Sequence, residues 1–112
     1  MTGLSGMKCE ICRVGAPQAT DEEIAEFLPQ LPEWRIVQRK GIKQLERRFA
    51  FSNFKTALVF TNRIGELAEE VNHHPNIFLT WGRVRVELWT HKIDGLNEAD
   101  FVWAAKADRL AA

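Results

Sequence analysis

Phe54, Ala57, Leu58, Thr61, Ile64, Leu67, Ala68 and Val71 recur at steps of three and four. That spacing lines one face of an α-helix and is the strongest periodic signal in the chain. Ser52-Asn53 offers its N-cap. The helix must stop by His74, because Pro75 disfavours helical geometry at the residue before it. Alternation of period two flanks this helix on both sides. Trp34, Ile36 and Gln38 face one way, and Arg35, Val37 and Arg39 the other. In the next run Leu45, Phe49 and Phe51 share a side, and Gly41 marks the turn between the two runs, which predicts a β-hairpin. Asn76 to Trp81 and Arg83 to His91 predict a second pair of strands about Gly82. In the latter, Val84, Val86 and Leu88 point one way, while Arg83, Arg85, Glu87, Trp89 and His91 point the other.

Two further helices complete the pattern. Thr20-Asp-Glu-Glu23 is a capping box that opens the first, with Ile24, Phe27 and Leu28 on one face and a stop near Pro29 and Pro32. Asn97 caps the last, from Glu98 to about Leu110, with Phe101, Ala104 and Ala105 packing inward. The order is α-β-β-α-β-β-α. It predicts an α+β fold of a single domain over residues 20–112, a four-stranded antiparallel sheet with helices packed on one face. Residues 1–19 read as an N-terminal extension.

Composition narrows the function. The chain has 112 residues, 46% hydrophobic and 27% charged, with Lys plus Arg equal to Asp plus Glu at 15 each. A net charge of zero argues against nucleic acid as the main partner, since phosphate neutralisation supplies most of that affinity. No apolar run approaches the ~20 residues of a membrane span. Met1 to Lys8 shows neither the charged start nor the apolar stretch of a signal peptide, so the expected location is the cytoplasm.

The chemistry concentrates between positions 73 and 91, where all three histidines lie. His73 and His74 stand at the helix–strand junction and His91 ends the last strand. Imidazole moves protons in either direction near neutrality, and loop ends on a rigid scaffold are favoured places for it. Glu69, one helical turn before His73, is placed to orient that ring, and Asp100 is placed to approach the same region. A His-His-Pro at a helix end can also simply cap carbonyls. Zinc is disfavoured at the histidines, because neighbouring side chains diverge and no His-x-His or His-x₃-His pair exists.

Glu69-x₃-His73-His74-Pro75-x₅-Trp81-x₉-His91-x₈-Asp100, together with Pro32-Glu-Trp34, resembles the signature of the pterin-4a-carbinolamine dehydratases. The resemblance spans roughly residues 20–110, and the fold it implies agrees with the order derived above. It implies dehydration of 4a-hydroxytetrahydrobiopterin to quinonoid dihydropterin, recycling the pterin for an aromatic amino-acid hydroxylase such as phenylalanine hydroxylase. His73, His74 and His91 match the family's active-site histidines. His73 and His91 are then the expected acid/base pair, and His74 the group that positions the substrate. Trp34 and Trp81 are expected to wall the flat pterin, with plain core packing as the alternative, and Glu69 and Asp100 are expected to support the imidazoles. No cofactor, metal or organic, is implied. The alternative function is a binding module that acts as a dimerisation or transcriptional cofactor, or an enzyme for another pterin.

Two features stand apart from that motif. Arg85, Glu87 and Trp89 on the face away from the core, with free sheet edges, suggest self-association, and the family's habit implies a homodimer or homotetramer. Cys9-x₂-Cys12 has zinc-knuckle or redox spacing, but the chain offers no second cysteine pair to complete a metal site. The expectation is a reduced, structurally incidental pair and no bound metal. Metal binding or a reversible disulfide, across subunits for instance, is the alternative.

Overall fold

Local signals set the start of each α-helix. A computed structural model describes residues 18–111; Cys9, Cys12 and most of the N-terminal extension lie outside them. Helix α1 (Asp21–Phe27) opens on the expected capping box: the Glu23 amide donates to Thr20 Oγ1 at 3.1 Å, and the Thr20 amide donates to Glu23 Oε1 at 3.0 Å. It runs into a single 3-10 turn that ends before Pro32. Helix α2 (Phe54–Val71) starts at Asn53, whose Oδ1 accepts from the Thr56 amide at 2.8 Å. It stops at Asn72, a residue in the left-handed region at φ 55°, which asparagine tolerates better than most. Helix α3 (Glu98–Ala111) is capped by Asn97, with the Ala99 amide donating to its Oδ1 at 2.8 Å.

Four strands, β1 (Arg35–Arg39), β2 (Ile42–Ala50), β3 (Asn76–Leu79) and β4 (Arg83–Leu88), form one antiparallel sheet in the order β1-β2-β4-β3. Lys40 and Gly41 join β1 to β2 with φ values of 52° and 78°. Two consecutive positive φ angles mark the two-residue turn whose twist matches that of the flanking strands. The expected α+β architecture is the one observed. Leu45, Phe49, Val84, Val86 and Leu88 form the buried face of the sheet and join residues of α2 and α3 in one core. Trp103, Val102 and Ala107 of α3 are fully buried with the expected Phe101 and Ala104.

The inward line of α2 differs from the one expected. Phe54 and Leu58 are 43% and 39% exposed, whereas Phe60 is buried and meets Phe49 and Phe51 at ring distances of 4.5 and 5.2 Å. A helical stripe of apolar residues is wider than the strip that can touch a sheet. The aromatic pairs with β2 select the Ala57–Phe60–Ile64 line, so the flank carrying Phe54 and Leu58 is left outside.

The helix-free face of the sheet is held by charge. Glu46 is 1% exposed and receives Arg35 at 2.8 Å and Arg39 at 2.6 Å. Arg39 and Arg85 also reach Glu87, at 3.3 and 3.0 Å. Burial by itself raises the Glu46 pKa, but hydrogen bonds from Arg35 and Arg39, with their charges, outweigh it and hold the carboxyl below its ordinary 4.5. A carboxyl lowered on folding stabilises the fold above its unfolded pKa, and that contribution disappears as pH falls through the folded value. Glu46→Gln should therefore destabilise the protein at pH 7 by about 1–2 kcal/mol, the arginines being partly solvated. In urea melts across pH 3–7 the gap between wild type and variant should narrow below about pH 4.5. A gap that stays constant with pH would show that the Glu46 charge is not what stabilises this face.

Candidate active site

The site begins where α2 ends. With Asn72 left-handed, the amides of both Asn72 and His73 turn back onto the Ala68 carbonyl, the latter at 3.1 Å. This tight exit turns His73 inward, where it is buried, and leaves His74 on the surface, followed by Pro75 and β3. The other wall comes from the end of β4. Thr90 is pinned to Gly95 through its amide at 2.8 Å, and between them the chain makes a 3-10 turn over His91–Ile93. A Cβ at position 95 would lie 2.7 Å from the far end of the Gln18 side chain, which would have to move aside. Gln18 also donates to the Ile93 carbonyl at 2.9 Å, and the Ala19 amide donates to the Leu96 carbonyl at 2.6 Å.

Between these walls lies a cleft of about 190 Å³ lined by Asn72, His73, His74, Trp89, Thr90, His91 and Lys92. Each imidazole in it has a different anchor. His73 Nε2 lies 2.6 Å from Asp100 Oδ1, a carboxylate with no exposed surface. Asp100 Oδ2 accepts from the Thr90 hydroxyl at 2.7 Å and from the Asn97 amide at 2.9 Å. A carboxylate oxygen offers an acceptor, so Nε2 of His73 carries the hydrogen of this bond. His74 Nε2 is hydrogen-bonded to Glu69 on the surface. His91 is exposed, and its ring stacks on Trp89 with centroids 4.4 Å apart and planes 27° from parallel.

Five of the sequence-derived site residues thus meet here: His73, His74, His91, Glu69 and Asp100. Glu69 holds His74 rather than His73, because the chain leaves helical geometry at Asn72 and counting back one turn no longer names the neighbour. Trp34 and Trp81 are not part of the cleft. Trp34 is a core residue, edge-on to Phe49, and its Nε1 donates to Asp108 Oδ1 at 2.7 Å beside the Arg47 guanidinium at 2.6 Å. Trp81 is 68% exposed in the β3–β4 turn, at the end of that hairpin opposite His74. The aromatic residue in the cleft is Trp89, which strand alternation had assigned to the outer face. Regular strand structure ends at Leu88, and Trp89 packs partly against the core. Among the described residues no group of three or more His, Cys, Asp or Glu is arranged to hold a metal ion.

Buried imidazole on a fixed carboxylate, beside two exposed imidazoles on an α+β scaffold, is the equipment of a proton-transfer site. Comparisons with known proteins give the family of the chain. The family model for pterin 4 alpha carbinolamine dehydratase matches residues 17–110. A protein of Syntrophotalea carbinolica named "Putative pterin-4-alpha-carbinolamine dehydratase" is 54% identical over 110 residues, 98% of each chain. The crystal structure of a transcriptional coactivator/pterin dehydratase from Brucella melitensis superposes with a TM-score of 0.77 at 33% identity, covering 86% of this chain and 100% of that one. A pterin dehydratase-like protein identified as a RuBisCO assembly factor in the alpha-carboxysome matches with a TM-score of 0.63 at 31% identity, over 71% and 90% of the two chains. The chain belongs to the pterin 4 alpha carbinolamine dehydratase family.

The Asp100 network yields a test that needs no substrate. Asp100→Asn keeps the volume but can present an N–H to His73, which then accepts at Nε2 and carries its hydrogen on Nδ1. Nitrogen-15 spectra of the imidazoles should show the Nε2–H form of His73 in the wild type and a shift toward Nδ1–H in Asp100→Asn. Asp100→Ala strands three donors and should cost about 3 kcal/mol or more in urea melts. A wild-type His73 in the Nδ1–H form would refute this assignment.

Proposed function

We propose that the protein dehydrates a 4a-hydroxytetrahydropterin, such as 4a-hydroxytetrahydrobiopterin, to the quinonoid dihydropterin. The observation that carries this reading is the convergence of three separately anchored imidazoles on one cleft, in a chain of this family. In the reaction an acid protonates the 4a-hydroxyl, the C4a–O bond breaks and water departs. A base removes the N5 proton, and the N5–H electron pair becomes the second bond between N5 and C4a. One imidazole must therefore give a proton and another must take one. His73 and His91 fill those roles, and His74 positions the departing hydroxyl. Asp100 orients His73 through its Nε2–H, and Glu69 does the same for His74. The chemistry requires no redox step, and the mechanism draws on no cofactor. The product returns to an aromatic amino-acid hydroxylase, phenylalanine hydroxylase for instance, in the cytoplasm. The chain works as a homodimer or homotetramer.

A binding role is the second reading. It draws on relatives described as a transcriptional coactivator and as an assembly factor, and on Phe54, Leu58 and Val59 exposed along α2. The two readings separate in a dehydration assay with the 4a-hydroxytetrahydropterin generated in situ. The wild type should accelerate formation of the quinonoid product well above the spontaneous rate. His73→Ala and His91→Ala should each lose about 100-fold or more of that acceleration while melting as folded proteins. A wild type that gives no acceleration would move the binding role to the front.

A further inference from the structure

Two of the three imidazoles in the cleft are tied to carboxylates, and the third is not. Among the described residues no hydrogen bond is seen to the His91 ring, which stacks on the face of Trp89. An exposed imidazole with no hydrogen bond would otherwise rotate freely about both side-chain torsions. Trp89 can act as a fixed stop because it is itself held. It packs partly against the hydrophobic core, and the residue after it is fastened at two points. The Thr90 amide donates to the Gly95 carbonyl at 2.8 Å, and the Thr90 hydroxyl donates to buried Asp100 at 2.7 Å. Thr90 turns toward Asp100, whereas Trp89 and His91 stack together on the cleft side. The same Asp100 thus anchors His73 directly and steadies the backbone between Trp89 and His91.

We infer that Trp89 is the positioning residue for His91, its indole face setting the angle at which that imidazole enters the cleft. The kinetic part of this inference rests on the dehydratase reading; the structural part does not. A reacting group held at a productive angle spends more of its time able to react, so losing the stop lowers turnover more than it lowers substrate affinity. Phenylalanine keeps an aromatic face there, whereas leucine keeps bulk alone.

Two measurements on the full chain test this. In carbon–proton correlation spectra, the His91 ring protons should lie upfield in the wild type, shielded by the Trp89 ring current. They should move to ordinary values in Trp89→Leu and remain largely upfield in Trp89→Phe. In the dehydration assay, Trp89→Leu should lower kcat about tenfold with little change in KM, and Trp89→Phe should recover most of the loss. In the His91→Ala background, Trp89→Leu should add no further loss, because an effect exerted through His91 cannot be lost twice. Multiplicative losses in the double variant, or wild-type kcat in Trp89→Leu, would overturn the inference. Ordinary His91 shifts in the wild type would overturn it too. If the wild type proves inactive, the dehydratase reading falls alone, and the ring-current comparison still decides whether Trp89 sets the His91 orientation.

Discussion

A carboxylate sealed from water has to be met by donors, and Asp100 is the place where this requirement organises the molecule. Its donors come from three separate parts of the chain: His73 after α2, Thr90 after β4, and the Asn97 amide at the head of α3. Satisfying all three fixes the end of one helix, the end of one strand and the start of another helix relative to one another. The cleft is the space left at that junction. Its chemistry and its stability therefore share a single side chain. The core of α2, α3 and the sheet sets the distance at which this junction can close, and Asp100 sets its angles.

The protein solves a second buried-carboxylate problem in a different way. Glu46 lies on the helix-free face and is met by guanidinium groups rather than by a neutral network. Arg35 and Arg39 remain in touch with solvent, so their side chains can adjust, and the arrangement tolerates small shifts between β1, β2 and β4. Asp100 has no such freedom, because each of its donors is held by backbone or by burial. Geometry is held tightly where proton transfer is proposed and loosely where only sheet cohesion is at stake.

Much of this was legible from residue order, for reasons that are local. The capping box at Thr20, the cap at Asn53, the Gly41 turn and the alternation of Val84, Val86 and Leu88 each depend on neighbours a few residues away, and each is found in the fold. The three histidines and Asp100 were legible because their spacing carries a family pattern. What escaped depended on contacts made at long range or on the point where a regular element stops. Phe60 replaced Phe54 and Leu58 because aromatic partners on β2 chose the line. Glu69 reached His74 because helical counting fails beyond a left-handed residue, and Trp89 entered the cleft because strand counting fails beyond Leu88. For Trp34 the sequence left substrate wall and core packing both open, and the residue lies in the core with its indole N–H donating to Asp108, 74 residues away.

The arginine-held sheet face also changes what a net charge of zero means. The four strands carry seven basic and two acidic residues, whereas the three α-helices carry four basic and ten acidic ones. Although the Arg47–Asp108 pair joins the two layers, the strands and the helices carry net charges of opposite sign, and the molecule is an electric dipole across its thickness. A neutral dipole feels no net pull in a uniform field, but it turns in the field of a charged neighbour. An anion would meet the sheet side first and a cation the helix side, at rates that fall as salt shortens the reach of the field. Averaged over the sequence, this polarity is invisible; folded, it gives a chain with no net charge a preferred direction of approach.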